Sequence, residues 1–371
     1  MPSSNEPAIT SVSSRSYTVP TNQPEADGTL AWDSTTVVVA EVVAGGVSGL
    51  GWTYSSDAAG IIIEGELRGA VCGGSALAVP AAHEAMVRAC RNLGRPGVVG
   101  SAISAVDIAL WDCKAKILDL SLADLFGRVS EGVALYGSGG FTTYDEATAR
   151  RQLERWTHEW AIPRVKMKIG ESWGRCAQRD LDRVVFARGV VGDRVELFVD
   201  ANGAYSRKQA VRVGQRLVDG AGVTWFEEPV SSDDLAGLKE VKERLTLDVA
   251  AGEYGYDEVY FARLLEAGAV DCLQIDVTRC GGFTSWLRGA ALAAARGIEV
   301  SAHCAPNLHA HVGPAVPHLR HVEYFHDHQR LDDLLFDGLL DPTGGWLTPR
   351  HGDPGHGMTL KEADAERFRA H

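Results

Sequence analysis

The sequence predicts an α/β protein in which an eight-stranded parallel barrel follows a smaller α+β unit. From about residue 132, short apolar segments alternate with helix-length segments, as expected of repeated strand–helix units. Before that point, glycine-interrupted β-branched runs precede two stretches with helical spacing. The length of 371 residues exceeds that of most single domains and leaves room for both parts.

The first part, residues 1–131, begins with a sheet pattern. The opening to about Gly28 is polar, residues 35–44 form a β-branched run, and a Gly-Gly turn leads towards residues 50–54. Runs of this kind, separated by glycine, favour an antiparallel sheet.

Helical spacing follows over residues 80–93 and 101–120. An apolar stripe along the second stretch indicates a mostly buried helix. The tail, residues 339–371, is rich in Gly and Pro and is expected to pack back onto the first part, completing an α+β capping unit.

The second part, residues 132–338, contains eight candidate strands with helix-length connections, which favours a closed barrel. The alternative is an open doubly wound sheet, which normally carries GxGxxG after an early strand, and this sequence has none there. The strands are expected at residues 133–136, 164–169, 195–200, 223–226, 247–251, 272–276, 298–302 and 320–324.

Composition and charge exclude several classes of protein. The net charge is −13, so no basic surface is available to neutralise the phosphates of a nucleic acid. No run of about eighteen apolar residues predicts a membrane span, and the N-terminus lacks a secretory pattern. The seven cysteines are scattered without a CxxC pair, which fits a reducing compartment, so we expect a cytoplasmic protein.

Two lysines occupy the same face of the second barrel strand. Lys166 and Lys168 are two residues apart, whereas the apolar residues beside them fall on the opposite face. The apolar face of a barrel strand packs against helices, so the lysines are expected inside, where they are costly unless function needs them. An edge strand with two solvated lysines is the alternative.

Carboxylates stand at the ends of the next three strands. Asp200, Glu227 and Glu253 end strands three, four and five, and Asn202 shares the face of Asp200. Barrel strands end at one mouth, where three carboxylates would repel one another. Mg²⁺, or Mn²⁺ in its place, resolves this repulsion, because oxygen-only ligands favour hard divalent cations. Each acid alone fits a helix cap equally well, but their succession favours a metal site.

Strands six and seven place an aspartate beside a histidine. Asp276 is expected to hold His303 and raise its basicity, as in a general base. The eighth strand adds Glu323, which in its protonated form could donate a hydrogen bond to a substrate carboxylate. Lys168 would remove the α-proton and leave an enediolate, and we expect Lys166 and the metal to lower the pKa of this base.

These motifs, in this order, resemble the mandelate racemase subgroup of the enolase superfamily. The resemblance extends over nearly the whole chain, since residues 108–116 and 125–127 resemble the helix that closes the capping domain of that family. The motifs that carry it are KMK at 166–168, DANGAY from 200, FEEP from 226, AGEY from 251, QIDVTRCGG from 274 and SAH at 301–303.

The resemblance implies a modified TIM barrel, (β/α)7β, with an N-terminal α+β capping domain. Substrate choice in this family depends on cap loops, here residues 18–33 and 50–56, and on the ends of strands one and eight. Family precedent also implies a homo-oligomer, from dimer to octamer. The implied roles are Mg²⁺ ligation by Asp200, Glu227 and Glu253, proton transfer by Lys168 and the His303–Asp276 pair, and substrate carboxylate contacts from Lys166 and Glu323. The candidate substrate-binding residues are Asn202, Trp32, Tyr54, Ser138 and His326.

Two functions fit these residues, and two others fit them less well. The leading one is dehydration of an acid sugar, an aldonate or aldarate, to a 2-keto-3-deoxy acid, with His303 expelling the β-hydroxyl. Racemisation or epimerisation of a 2-hydroxy acid is the alternative, since bases on both faces are its minimum equipment. A non-catalytic binding barrel would need a lost ligand or base, and a muconate-type cycloisomerase has a lysine where Asp276 stands. The substrate stays open, because residues 18–33 contain no cation for a second carboxylate.

Overall fold

The computed structural model describes residues 6–370 and confirms the predicted combination of a parallel barrel with an α+β unit. Three antiparallel strands form the N-terminal sheet, β1 (Ile9–Ala26), β2 (Ala31–Ala44) and β3 (Val47–Tyr54). The β-branched run of β2 lies in the middle of this sheet, and residues 37–40 are fully buried.

The two segments expected to be cap loops, residues 18–33 and 50–56, are mostly strand. β1 pairs with β2 along most of its length, and only residues 27–30 connect the two strands. β1 is difficult to recognise as a strand from the sequence, because this segment is rich in Ser and Thr and buries few large apolar side chains, among them Tyr17 and Val19. The expectation of a loop is therefore wrong for most of both segments.

Helices follow the sheet and cover one of its faces. β3 packs directly on the long helix α4, and two glycines permit the contact: a Cβ at Gly49 would lie 2.1 Å from the carbonyl oxygen of Ala109, and one at Gly51 would lie 2.3 Å from that of Ala105. The helices of this part are α1 (Ala58–Ile62), which continues as a π-helical turn (Ile63–Leu67), α2 (Arg68–Val71), α3 (Val79–Ala89), α4 (Val98–Ile117) and α5 (Leu122–Phe126).

Replacing Gly49 by alanine is expected to destabilise the protein by about 3 kcal/mol, because the added methyl group meets helix backbone that cannot move aside. The midpoint of urea unfolding measures this loss. Gly65→Ala is the matched control, since nothing lies within 4 Å of its added Cβ. Equal midpoints for the two variants would contradict the close approach of β3 to α4.

Eight parallel strands close into a barrel, because the last strand pairs with the first. Each strand lies within three residues of its predicted bounds, and closure excludes the open sheet. The strands are β4 (Val133–Gly139), β5 (Arg164–Lys168), β6 (Glu196–Asp200), β7 (Val223–Glu227), β8 (Asp248–Ala251), β9 (Cys272–Ile275), β10 (Glu299–Ala302) and β11 (Leu319–Phe325).

Helices surround the barrel and connect its strands, as in the (β/α)7β fold that the resemblance implies. Within residues 6–370, none of the helices has the length and apolar content needed to cross a membrane. The helices are α6 (Glu146–Glu154), extended by a π-helical turn (Arg155–Glu159), α7 (Glu171–Gly174), α8 (Ala177–Val191), α9 (Arg207–Ala221), α10 (Leu235–Arg244), α11 (Glu258–Glu266), α12 (Gly282–Ala294), α13 (Pro306–Val312), α14 (His326–Leu335) and α15 (Glu362–Ala365).

The C-terminal tail contacts both parts of the molecule. It carries two short strands, β13 (Trp346–Leu347) and β14 (Thr359–Leu360). β13 pairs with the first barrel strand, and β14 pairs with β12 (Phe336–Asp337), which directly precedes the tail. Further on, the His356 ring lies 2.8 Å from the carbonyl oxygen of Leu50 in the N-terminal sheet. The tail thus returns to the N-terminal sheet and also extends the barrel; the predicted domain boundaries stay predictions.

Candidate active site

The register of the barrel brings the predicted functional side chains to one level. Lys168, Asp200 and Glu227 are direct partners across β5, β6 and β7. Lys166 points to the same side as Lys168, and both lysines are buried inside the barrel. A solvated edge strand is therefore excluded.

Asp200, Glu227 and Glu253 lie close enough to share one ion. One carboxylate oxygen from each lies within 4.8 Å of the others, and no residue of the three is more than 3% exposed. We call these three residues the carboxylate cluster. Each has a basic side chain as its nearest ion-pair partner: Asp200 pairs with Lys168, Glu227 with Lys166 at 2.6 Å, and Glu253 with the His303 ring at 3.2 Å.

The predicted lowering of the pKa of Lys168 assumes a bound metal beside Lys166, whereas the protein groups alone raise this pKa. Burial lowers this pKa, but the adjacent Asp200 raises it more strongly than Lys166 lowers it. Glu253 and Glu227 add to the effect, and the pKa of Lys168 is held well above its usual value. Every group that raises it belongs to the carboxylate cluster.

Asp276 holds His303, as the sequence predicts. Its Oδ2 lies 2.8 Å from Nδ1 of the ring, and although burial raises the pKa of Asp276, the hydrogen bond to His303 holds it below its usual range. Burial in turn lowers the pKa of His303, but the acidic groups around the ring, led by Cys304 and Glu253, hold it well above its usual value. The Nε2 atom faces Glu253 and the pocket.

A second histidine connects the loops that carry this pair. His309 accepts a hydrogen bond from the amide of Val277 at 3.1 Å, and its Nδ1 lies 2.7 Å from the carbonyl oxygen of Cys304. Val277 directly follows Asp276, and Cys304 directly follows His303. Burial lowers the pKa of His309 to about 4, so a neutral ring makes both bonds. His309 therefore links the segments that follow Asp276 and His303 and holds them in position relative to each other.

Glu323 lies beside this pair, but it is ionised. Its Oε1 is 2.8 Å from the Lys166 amine, and its Oε2 accepts a hydrogen bond from the Cys304 amide at 3.0 Å. Burial raises the pKa of Glu323, but Lys166 and His303 hold it well below its usual range. A protonated Glu323 that donates a hydrogen bond is therefore not supported in this arrangement, because a lysine from a distant strand is its nearest partner.

The turn between β1 and β2 rests on the barrel mouth and covers a cavity of about 330 Å³. A Cβ at Gly28 would lie 2.6 Å from the carbonyl oxygen of Ile169, so only glycine permits this contact. The Gly28 carbonyl also accepts a hydrogen bond from the amide of Trp173 at 2.9 Å. The turn is thus held directly above the strand ends.

Two of the predicted substrate-binding residues lie away from this cavity. Ser138 is fully buried on β4, and the His326 ring lies beside Glu25 at 3.9 Å, so their positions do not support that role. Asn202 does line the cavity, and its buried Oδ1 has no hydrogen-bond partner among residues 6–370. The predicted substrate-binding residues that line the cavity are Asn202, Trp32 and Tyr54.

Arg279 and His328 also line the cavity. Arg279 lies 3.3 Å from Glu253 and 3.5 Å from Asp276, and its place three residues after Asp276 at a strand end is a signal that could have found it. His328 stacks on the Tyr54 ring with centroids 3.4 Å apart. No local signal predicts that stack, because it joins the barrel to the N-terminal sheet.

Comparison of the sequence with known protein families identifies two matches. Residues 148–364 match the enolase C-terminal domain-like family, and residues 11–127 match the mandelate racemase / muconate lactonizing enzyme N-terminal domain. The L-talarate/galactarate dehydratase of Salmonella typhimurium is 32% identical over 335 residues, which cover 88% of this chain and 81% of that protein.

Solved structures agree with the family models. A mandelate racemase/muconate lactonizing enzyme-like protein from Rubrobacter xylanophilus is 48% identical with a TM-score of 0.94, covering 98% of this chain and 100% of that one. A racemase from Streptomyces coelicolor with bound magnesium is 28% identical with a TM-score of 0.91, covering 98% and 100%. The chain therefore belongs to the mandelate racemase subgroup of the enolase superfamily.

Proposed function

We propose that the protein removes the α-proton of an acid sugar carboxylate and expels its β-hydroxyl, giving a 2-keto-3-deoxy acid. The observation that carries the proposal is the placement of Lys168 and His303 on different members of the carboxylate cluster, Asp200 and Glu253. A substrate between them would meet one base and one acid. The similar dehydratase of Salmonella typhimurium supports this reaction.

The carboxylate cluster fits a hard divalent cation. Its donors are oxygen atoms only, they converge, and they are buried, which favours Mg²⁺ and allows Mn²⁺ as a substitute. Asp200, Glu227 and Glu253 would hold the ion, as the magnesium in the similar racemase structure supports. When bound, the ion supplies positive charge that stabilises the enediolate form of the substrate.

Lys168 is the proposed base. Its amine must be neutral to accept a proton, and burial and Lys166 both favour that form. The three carboxylates raise the pKa of Lys168. As ligands of the ion they would share their negative charge with it, and they would then raise this pKa less strongly. Lys166 remains beside the substrate carboxylate and stabilises the added negative charge.

His303 is the proposed acid. The α-carbon–hydrogen bond breaks and its proton goes to Lys168, after which the electron pair forms a carbon–carbon double bond as the β-carbon–oxygen bond breaks. The oxygen leaves with its electron pair, takes the proton from Nε2 of His303 and departs as water. Asp276 holds the ring through Nδ1 at 2.8 Å, so Nε2 remains directed at the pocket. The enol product then tautomerises to the 2-keto acid.

The test incubates the protein with Mg²⁺ and a panel of aldonates and aldarates in D₂O. We expect at least one acid to give a 2-keto-3-deoxy product, and we expect the reaction to stop when a chelator removes the ion. A panel in which no acid yields product or exchanges its α-proton would refute the proposal.

Racemisation or epimerisation is the second candidate, because the pocket has proton-transfer groups on two sides of the carboxylate cluster. A racemase would incorporate deuterium at the α-carbon and invert the configuration without forming a keto acid. The D₂O experiment therefore separates the two reactions directly.

A further inference from the structure

The cavity has cationic side chains at one end only. Lys168, Arg279 and His303 line its barrel end, next to the carboxylate cluster. In the described residues 6–370, neither lysine nor arginine lines the opposite end, which we call the cap end. The residues of the cap end are Asp27, Leu30, Trp32, Ser34, Thr35, Thr36, Ser55, Asp327 and His328.

The charged side chains at the cap end are acidic, and within residues 6–370 they have no lysine or arginine partner that lines the cavity. Asp27 uses its Oδ1 to accept the amides of its own turn, and Asp327 accepts the Thr35 hydroxyl. Arg330 donates two hydrogen bonds to Asp327, at 2.6 Å and 3.2 Å, and a third to the backbone carbonyl of Pro20, but it is 9% exposed and does not line the cavity. Burial lowers the pKa of His328 to about 3, so that ring is neutral as well.

Arg279 is the remaining cation that could reach a ligand. Two carboxylates already balance it, since Glu253 lies at 3.3 Å and Asp276 at 3.5 Å. Both carboxylates lie at the barrel end, so Arg279 is held there and not at the cap end. A second substrate carboxylate at the cap end would be desolvated beside Asp27 and the Arg330-paired Asp327, with no lysine or arginine among the lining residues of that end to pair with it.

A hydroxyl group suits the same end. It can donate a hydrogen bond to the carboxylates there or to the oxygen of the Thr35 hydroxyl, whose own proton goes to Asp327, and it can accept one from Thr36 when Thr18 donates to Thr36. The volume of about 330 Å³ lies at the lower limit of small-molecule pockets, roughly 300–1,000 Å³, which fits a short polyhydroxyl chain.

We propose that the cavity selects acid sugars with one carboxylate and an uncharged polyhydroxyl far end, the aldonates, over acid sugars with a carboxylate at both ends, the aldarates. This inference rests on the proposed function, because it places the first carboxylate at the carboxylate cluster. The far end of the substrate then lies against the cap end.

The test compares matched pairs that share chain length and configuration, gluconate with glucarate and galactonate with galactarate. With the full chain and Mg²⁺, kcat/KM for the better aldonate is expected to exceed that of its aldarate by about 100-fold or more. Calorimetric binding of the same pairs to Lys168→Ala gives a readout without turnover and should show the same order.

Ser34→Arg tests the cause of this preference. Ser34 is exposed at the cavity rim, so a longer side chain fits there and places a cation at the cap end. We expect the aldarate-to-aldonate ratio of kcat/KM to rise at least tenfold. Ser34→Gln adds length without charge and is expected to change the ratio by less than threefold.

The outcomes separate this inference from the proposed function. Turnover of both classes with the aldarate equal or preferred would overturn the inference alone, and would point to Arg279 as the ligand of the second carboxylate. An equal response of Ser34→Arg and Ser34→Gln would also overturn it. Absence of both turnover and α-proton exchange with every acid would overturn the proposed function and the inference together.

Discussion

Replacing Lys168 by alanine is expected to slow exchange of the substrate α-proton with solvent by about 10³-fold or more. Lys168 contacts Asp200 at the edge of the carboxylate cluster, and alanine leaves no group in that place to accept the proton. Proton NMR of the α-position in D₂O, with Mg²⁺ present, measures the exchange. Product formation is expected to fall by the same factor, because the proton must leave before the hydroxyl.

The control must separate lost chemistry from lost structure. Lys168→Ala leaves Asp200 without its partner, and removal of one member of a buried ion pair costs about 3–5 kcal/mol. Circular dichroism in the same Mg²⁺ buffer therefore accompanies each rate. Lys239→Ala, an exposed lysine 3.9 Å from Glu243, should stay within twofold of wild type. Exchange above a tenth of the wild-type rate in Lys168→Ala would contradict its role as base.

The barrel can be predicted from the sequence because most of its strands are short apolar runs with local bounds. β1 is not, since its extended form depends on pairing with β2, and its Ser- and Thr-rich sequence looks like a loop. The resemblance implies cap loops at residues 18–33 and 50–56, and the turn that contacts the barrel, at Gly28, lies within the first of these segments.

The carboxylate cluster and the His303–Asp276 pair are predictable for a related reason. Each residue lies at the end of a strand or within two residues after it, and strand ends meet at one mouth, so position along the chain determines position in space. Protonation is different. The ionised Glu323 depends on Lys166 at 2.8 Å, and the charged Lys168 depends on Asp200, so both follow from distances between strands. Those distances are not encoded in any local pattern.

The start of helix α14 explains why the prediction of His326 as a substrate-binding residue is not supported. His326 follows directly on β11, as the strand-end rule requires, but it begins α14 and its ring lies beside Glu25. His328, two residues later, lines the cavity instead. The strand-end rule finds the correct segment here but selects the wrong side chain, because α14 changes the direction of successive residues.

Replacing Glu253 by glutamine is expected to abolish stabilisation of the protein by Mg²⁺. The amide keeps the shape of the side chain and removes one of three charges from the carboxylate cluster. Its cationic neighbours keep another partner, since Asp276 lies 3.5 Å from Arg279 and 2.8 Å from His303, so the metal-free fold should lose little. An ion that binds only the native state stabilises it by about 2.7 kcal/mol at a concentration of a hundred times Kd.

Denaturant unfolding with and without Mg²⁺ measures this gain. Wild type is expected to show the full increase in the free energy of unfolding, and Glu253→Gln is expected to show none at the same Mg²⁺ concentration. Glu258→Gln makes the same chemical change at the start of α11, where the carboxylate pairs with Arg288 at 2.9 Å, and should keep the gain within about 0.5 kcal/mol. If Glu253→Gln kept the gain as well, the ion would bind elsewhere, and the carboxylate cluster would lose its role whatever happened to activity.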